Sequence, residues 1–213
     1  MSGVSAHDFY GPEQASIHHA AFGDLAETAA GRLVGELHDA GHRGGTVVDL
    51  GCGSGILARR LTDAGYAVHG VDLAADMIEL ARRHAPGATF EQGSLLDAAL
   101  PNAVAVTAIG EALNYATDVR VGPDALGEVF RRVRTSLDGG GLFLFDVATP
   151  GRHGPDRVAN RFHDRETWTL FMRAVESDDA TRLDRYITIF RRAESGSYER
   201  TDEHHVLCLY EPA

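Results

Sequence analysis

The chain contains no lysine: all 20 of its cationic residues are arginine. That excludes Schiff-base chemistry on a lysine amine and the P-loop, which needs its lysine on the phosphates. Cysteine is scarce too, with Cys52 and Cys208 the two copies. Two thiols cannot form a zinc site between them, and they suggest no disulfide framework. No apolar run reaches 18 residues, and the opening MSGVSAHDFYGPEQ has no apolar core of a secretory signal. A cytoplasmic protein with no membrane partner is therefore expected. A basic excess is also missing. The 20 cations stand against 31 carboxylates, a formal net charge of −11, which argues against a nucleic-acid partner.

What remains is ordinary globular composition: 213 residues, 44% hydrophobic and 24% charged, enough for one domain with a sizeable core. Ile17, Ala20, Ala21, Leu25, Ala29, Leu33 and Leu37 recur at helical spacing over 13–40, up to Gly41. Beyond it strand and helix alternate. The predicted strands are 46–50, 67–71, 88–91, 104–109 and 142–147, and the predicted helices are 56–64, 75–84 and 124–137. The last helix is expected to end at the run Gly139-Gly140-Gly141. Such alternation implies a parallel sheet covered by helices on both faces. After Pro150 the period changes to two, over 166–175, 182–192 and 203–210, as in an antiparallel meander. Trp168 and Phe171 are expected to pack that meander against the body. The expected organisation is a single domain: a helical lid over 1–44, an α/β core over 45–150 and an antiparallel substrate-side insert over 151–213.

The chemistry concentrates where the first strand gives way to a helix, in Val47-Val48-Asp49-Leu50-Gly51-Cys52-Gly53-Ser54-Gly55. Glycines there permit backbone angles and ligand approach that a β-carbon would block, and the helix N-terminus behind them favours an anion. The plain alternative is a tight turn with no ligand. The spacing is G-x-G-x-G, and Ile56 occupies the third-glycine position of the nicotinamide fingerprint. Asp72 ends the second strand, where a carboxylate accepts hydrogen bonds from both hydroxyls of a ribose; its bland role is a helix cap.

With these features in place the sequence resembles the class I S-adenosylmethionine-dependent methyltransferases. VVDLGCGSG matches that family's first motif, GVDLAADMIELAR (70–82) its second, EQGSLLD (91–97) its third, AVTAIGEALNYA (105–116) its fourth and LDGGGLFLFDV (137–147) its closing strand. The resemblance implies a Rossmann-like doubly wound sheet and S-adenosyl-L-methionine as cofactor, with S-adenosyl-L-homocysteine as product. It places Asp49, Gly51, Cys52 and Gly53 at the cofactor, with Asp72 and Leu73 at its ribose and Met77 packing on adenine. Ser94, Leu95, Ile109 and Gly110 complete that set, Ser94 standing where the family often has an acid. Among small-molecule methyltransferases with an antiparallel insert after the fifth strand, the match continues through the Glu203, His204, His205 and Tyr210 segment. Family members go on to a helix and two further strands beyond this point, so either a tail is missing from the sequence or a partner chain, as in a homodimer, covers the open sheet edge.

The expected function is methyl transfer from S-adenosylmethionine to a nitrogen or oxygen of a small molecule. Its rival is a binder of that cofactor, or a cyclisation-type enzyme, that does not methylate. At most one of the two neighbouring strand histidines can reach a ligand, and the resemblance, through the spacing to Glu203 and Tyr210, makes His205 the candidate base. Tyr10, Glu111, Asn114 and Tyr115 are the candidate acceptor contacts. No metal site is expected.

Overall fold

β1 (Thr46–Leu50) is the centre from which the rest is laid out. Its β-branched run is buried at four of five positions, as suits a strand covered on both faces. β2 (Ala67–Asp72) pairs parallel on one side and β4 (Ala103–Ala108) on the other. With β3 (Thr89–Gln92) and β5 (Leu137–Phe145) they form an all-parallel sheet in the order β3-β2-β1-β4-β5. The crossovers are helical: α2 (Ile56–Asp63), α3 (Ala75–His84) and α4 (Pro123–Ser136), preceded by α1 (Pro12–Asp39). The structure is a computed structural model and describes residues 12–193 and 195–212.

Ala30, Leu33 and Leu37 of α1 join Leu57, Ala58 and Leu61 of α2 and Val47 of β1 in one buried cluster. Leu25, expected on that stripe, is instead 52% exposed. The glycine run 139–141 does not end a helix by itself. It lies inside β5, which begins at Leu137, and the β4–β5 register slips between Ala103 and Ala105. Gly140 has φ 79°, a left-handed angle that glycine adopts without strain and that suits an irregular strand. β5 is the edge of the sheet, and Phe143 and Phe145 on it pack with Phe130 of α4.

The second sheet is an antiparallel meander, β6 (Val158–Asp164), β7 (Trp168–Glu176), β8 (Arg182–Arg192) and β9 (Tyr198–Cys208), paired in chain order. Four strands replace the three expected. Leu183 and Leu207, opposite each other on β8 and β9, are fully buried and cluster with Ala148, Ala174 and Leu209. Phe171 departs from its expected packing role. Three residues after Trp168 it points to the other face of the strand, where it is 47% exposed. The chain divides into two compact units. The first comprises residues up to Leu113 together with Pro123–Asp146, and the second comprises Asn114–Gly122 together with the chain from Val147 onward.

Candidate cofactor site

All five strands of the parallel sheet run the same way, so the turns after β1, β2, β3 and β4 emerge at one end, where open α/β sheets bind ligands. The turn after β1 is built by glycine. Gly51, Gly53 and Gly55 have φ of 74°, 51° and 77°, angles that a β-carbon disfavours. The N–H groups of Gly51 and Cys52 both donate to the Val71 carbonyl, at 2.8 and 3.0 Å, tying this turn to the end of β2. A β-carbon on Gly51 would come within 2.5 Å of the Ala112 side chain, whereas one on Gly53 would meet nothing within 4 Å. The turn is closely packed at Gly51 and open at Gly53.

Asp72 is bound into the same turn. Its Oδ2 accepts the Gly53 N–H at 2.9 Å and its Oδ1 accepts the Ala74 N–H at 2.9 Å. The Ala74 bond is the local cap-like role, and it leaves each oxygen a second acceptor position for a diol. Burial pushes the Asp72 carboxyl up, while the N–H groups of Ala74, Gly53 and Leu73 hold it down. Asp49 is 2% exposed. Its Oδ1 accepts the Thr107 hydroxyl at 2.7 Å. Burial drives its carboxyl from 3.8 up to about 6 against that hydrogen bond, with Asp72 adding to the rise. The Cys52 thiol is pushed well above its ordinary value by burial and then by both carboxylates. Asp49, Cys52, Gly53 and Asp72 thus act as one electrostatic group.

Ser94 is used locally, its hydroxyl accepting the Leu96 N–H at 3.2 Å. Leu73 presents its carbonyl to the Gln92 side-chain amide at 3.2 Å. Leu95 is half-buried beside Ser94, and Met77 is 2% exposed within α3. After β4, Ile109 is half-buried and Gly110 turns the chain with φ 81°. Glu111 follows in the same left-handed region at φ 61°, a conformation that costs a non-glycine residue about 1 kcal/mol or more. It is held there by Asp146, whose two carboxylate oxygens accept the Gly110 and Glu111 N–H groups at 2.6 and 3.0 Å. Thr107 and Asp146 were not singled out from the sequence. Each left a signal: Thr107 is the one polar residue in a wholly buried strand, and Asp146 follows the apolar run of β5.

The remaining candidates lie in the second unit. His205 is 2% exposed, with Nε2 2.9 Å from Oε2 of Glu203. The Tyr115 ring meets its edge at 5.6 Å between centroids. Tyr115 also bridges Leu207, and the Ala116 N–H donates to Val206. Asn114 is wholly buried. Its side-chain amide donates to the carbonyls of Ala148 and Cys208 at 3.1 and 2.6 Å, and its Oδ1 accepts the Ala148 N–H at 2.9 Å. Tyr10 lies outside the described residues. Among the described residues no group of histidine, cysteine and carboxylate side chains could hold a metal ion.

This sheet order and glycine turn are those of an α/β protein with the class I methyltransferase fold. Three comparisons agree with it. Residues 47–141 match the model of the methyltransferase domain family. A protein of Geobacillus sp. (strain WCH70) named as a methyltransferase is 28% identical over 180 residues, covering 78% of this chain and 68% of that one. Among solved structures, an S-adenosylmethionine-dependent methyltransferase from Clostridium acetobutylicum superposes with a TM-score of 0.77 at 18% identity, covering 93% of this chain and 81% of that one. The amino pentose methyltransferase CalS10 of Micromonospora echinaspora, solved with S-adenosylmethionine bound, gives 0.70 at 20% identity, covering 99% and 85%. Residues 47–141 therefore resemble the methyltransferase domain family, and the fold is the one that S-adenosylmethionine-dependent methyltransferases share.

Proposed function

We propose that the chain transfers a methyl group from S-adenosylmethionine to a nitrogen or oxygen of a small-molecule acceptor, leaving S-adenosylhomocysteine. The observation that carries this reading is the open glycine turn at Gly53, clasped by Asp72, beside the buried carboxylate of Asp49. Asp72 would hold the ribose hydroxyls, and the turn 51–53 with Asp49 would hold the cationic amino-acid end. Leu73, Met77, Ser94, Leu95, Ile109 and Gly110 would complete the cofactor contacts.

Bound there, the cofactor supplies a methyl group already activated on a sulfonium, with a neutral thioether as leaving group. The protein's task is then alignment, worth about 7–11 kcal/mol in well-oriented reactions. A base helps where the acceptor must lose a proton, typically by about 10²–10⁴-fold. His205, oriented by Glu203, is assigned that role, Glu111 and Tyr115 are assigned to the acceptor, and Asn114 positions the backbone that carries Tyr115. Tyr10 belongs to the same proposal. An amino-sugar acceptor, the class named for the Micromonospora protein, heads the compounds to be tried. The setting proposed is the cytoplasm, without nucleic acid; no helix among the described residues is long and apolar enough to cross a membrane. A second copy of the chain is the proposed partner. The open β5 edge is the surface proposed for it.

Calorimetric titration with S-adenosylmethionine and S-adenosylhomocysteine tests the site, and S-adenosylhomocysteine release over a panel of amines, phenols and carboxylates tests the reaction. Binding of both in the micromolar range and turnover on at least one acceptor are expected. Binding with no turnover would replace methyl transfer by the non-methylating reading. In Asp72→Ala, loss of the ribose contacts should weaken cofactor binding by ~1–3 kcal/mol. Unchanged affinity in that variant would remove Asp72 from the site.

A further inference from the structure

The turn that follows β3 is fastened at both ends. At its start the Gly93 N–H donates to the Asp72 carbonyl at 2.9 Å, and the Gln92 side-chain amide donates to the Leu73 carbonyl at 3.2 Å. Inside it Ser94 accepts twice: its hydroxyl takes the Leu96 N–H at 3.2 Å and its carbonyl takes the Asp97 N–H at 3.0 Å. At its far end the carbonyls of Leu96 and Ala98 accept from a single side chain. Nη1 of Arg132 donates to the first and Nη2 to the second, from α4, 36 and 34 residues further along the chain.

Arg132 is unlike its neighbour. It stands three residues after Val129 and four before Ser136, both buried, which puts it at the margin of the stripe that α4 turns inward, and it is half-buried. Arg131 instead pairs with Glu128 on the exposed side of the helix. On a chain with 31 carboxylates, a guanidinium that gives both Nη groups to neutral carbonyls is placed for geometry rather than for charge. Its donors form a rigid planar fork, so two carbonyls on one fork are fixed relative to each other and to the helix that carries it. Ala98 is 5% exposed, and a backbone oxygen left unpaired at such depth is costly.

We infer that Arg132 is a positioning residue for the cofactor's base: by clamping Leu96 and Ala98 to α4 it holds Ser94 and Leu95 where they read the adenine ring. The inference rests on the cofactor reading above, in which Ser94 and Leu95 are cofactor contacts. Gly93, bonded to Asp72, fixes the end of the turn next to the ribose site, and Arg132 fixes the other end. The Ser94 hydroxyl is engaged inside the turn by Leu96. Discrimination of the base therefore falls to the backbone of the turn, and backbone groups discriminate only as well as the turn is held.

Calorimetric titration of the full chain with S-adenosylhomocysteine and with S-inosylhomocysteine, whose base carries an oxygen in place of the 6-amino group, tests it. The wild type should prefer the adenine compound by about 10-fold, the effect of exchanging one hydrogen bond for an unpaired group. Arg132→Gln should weaken binding of the adenine compound by about 5–10-fold and leave the inosine compound within about 2-fold, while Arg131→Gln should keep the full preference. Arg132→Lys retains the charge and the stem, so it guards against a glutamine variant that does not fold. It should lose at least about half of the preference, because one ammonium cannot serve two carbonyls as a fork does. In the cofactor-free protein the Leu96 and Asp97 amides should exchange several-fold faster in Arg132→Lys than in wild type, with Gly93 unchanged. A wild type that binds neither compound removes the cofactor reading and this inference with it. A wild type that binds both alike, or a full preference in Arg132→Lys, overturns the inference and leaves the cofactor reading standing. An equal fall for both compounds, or unchanged amide exchange, would make Arg132 a support of the fold alone and overturns the inference as well.

Discussion

The two units differ in how they hold most of their buried carboxylates. In the parallel unit, Asp49 and Asp72 are held by neutral donors, a threonine hydroxyl and backbone N–H groups, and burial pushes both carboxyls up. In the antiparallel unit, two buried carboxylates meet cationic or imidazole partners, Glu203 with His205 and Asp184 with both Arg182 and His204, while Glu176 accepts the Gly151 N–H. An ion pair offsets its own desolvation, whereas a lone carboxylate retains that penalty until something binds it. The contrast is between carboxylates held by neutral donors in the parallel unit and carboxylates placed beside cationic or imidazole groups in the antiparallel one.

The sharpest way to break the comparison is at Asn114, the most fully engaged polar group of the second unit. Asn114→Ala removes three side-chain hydrogen bonds and strands two carbonyls and an N–H in the interior. A loss of ~3–5 kcal/mol in urea unfolding is expected. Asp49→Asn should act in the other direction. A carboxyl raised from 3.8 to about 6 in the folded chain makes the native state bind more protons than the unfolded one between about pH 4 and 6. Stability conferred on the wild type therefore falls as pH rises through that window, and the variant should be ~1–3 kcal/mol more stable than wild type at pH 7, with the difference fading by pH 4. Its cofactor affinity should drop at the same time. Equal stability of the two proteins at pH 7 would show that Asp49 carries no such penalty. The smallest effect is expected at Glu111→Gly, where relief of the left-handed backbone should raise stability by ~0.5–1 kcal/mol, measured as a shift in Tm.

Much of this contrast was legible from sequence, and the parts that were not share a cause. The run Thr46–Leu50 and the helix Ala75–His84 stand where the pattern sets them, because a β-branched strand and a helix closed before Pro86 are determined locally. The glycine run 139–141 misled because glycine both ends helices and tolerates an irregular strand, and pairing to β4 decides between the two. β6 was missed because Phe162 lies on the outer face and the facing positions Arg161 and His163 are polar, so no alternation shows. At the candidate site, the glycines, Asp49 and Asp72 were readable as a local motif. Thr107 and Asp146 were not, since their partners are 58 and 35–36 residues away. Asn114 was legible as a polar residue after β4, while its role as a tie to Ala148 and Cys208 belongs to the tertiary fold.

The threading of Asn114–Gly122 into the second unit has a consequence for biosynthesis. The residues that receive this segment, Val206 through Cys208, leave the ribosome roughly ninety positions later, a delay of about 5–20 s at ordinary elongation rates. Through that interval Asn114 and Tyr115 have been made and their β9 partners have not. The nascent chain can complete the parallel sheet as β5 emerges, but it cannot seat the segment that carries Tyr115 until β9 has been made.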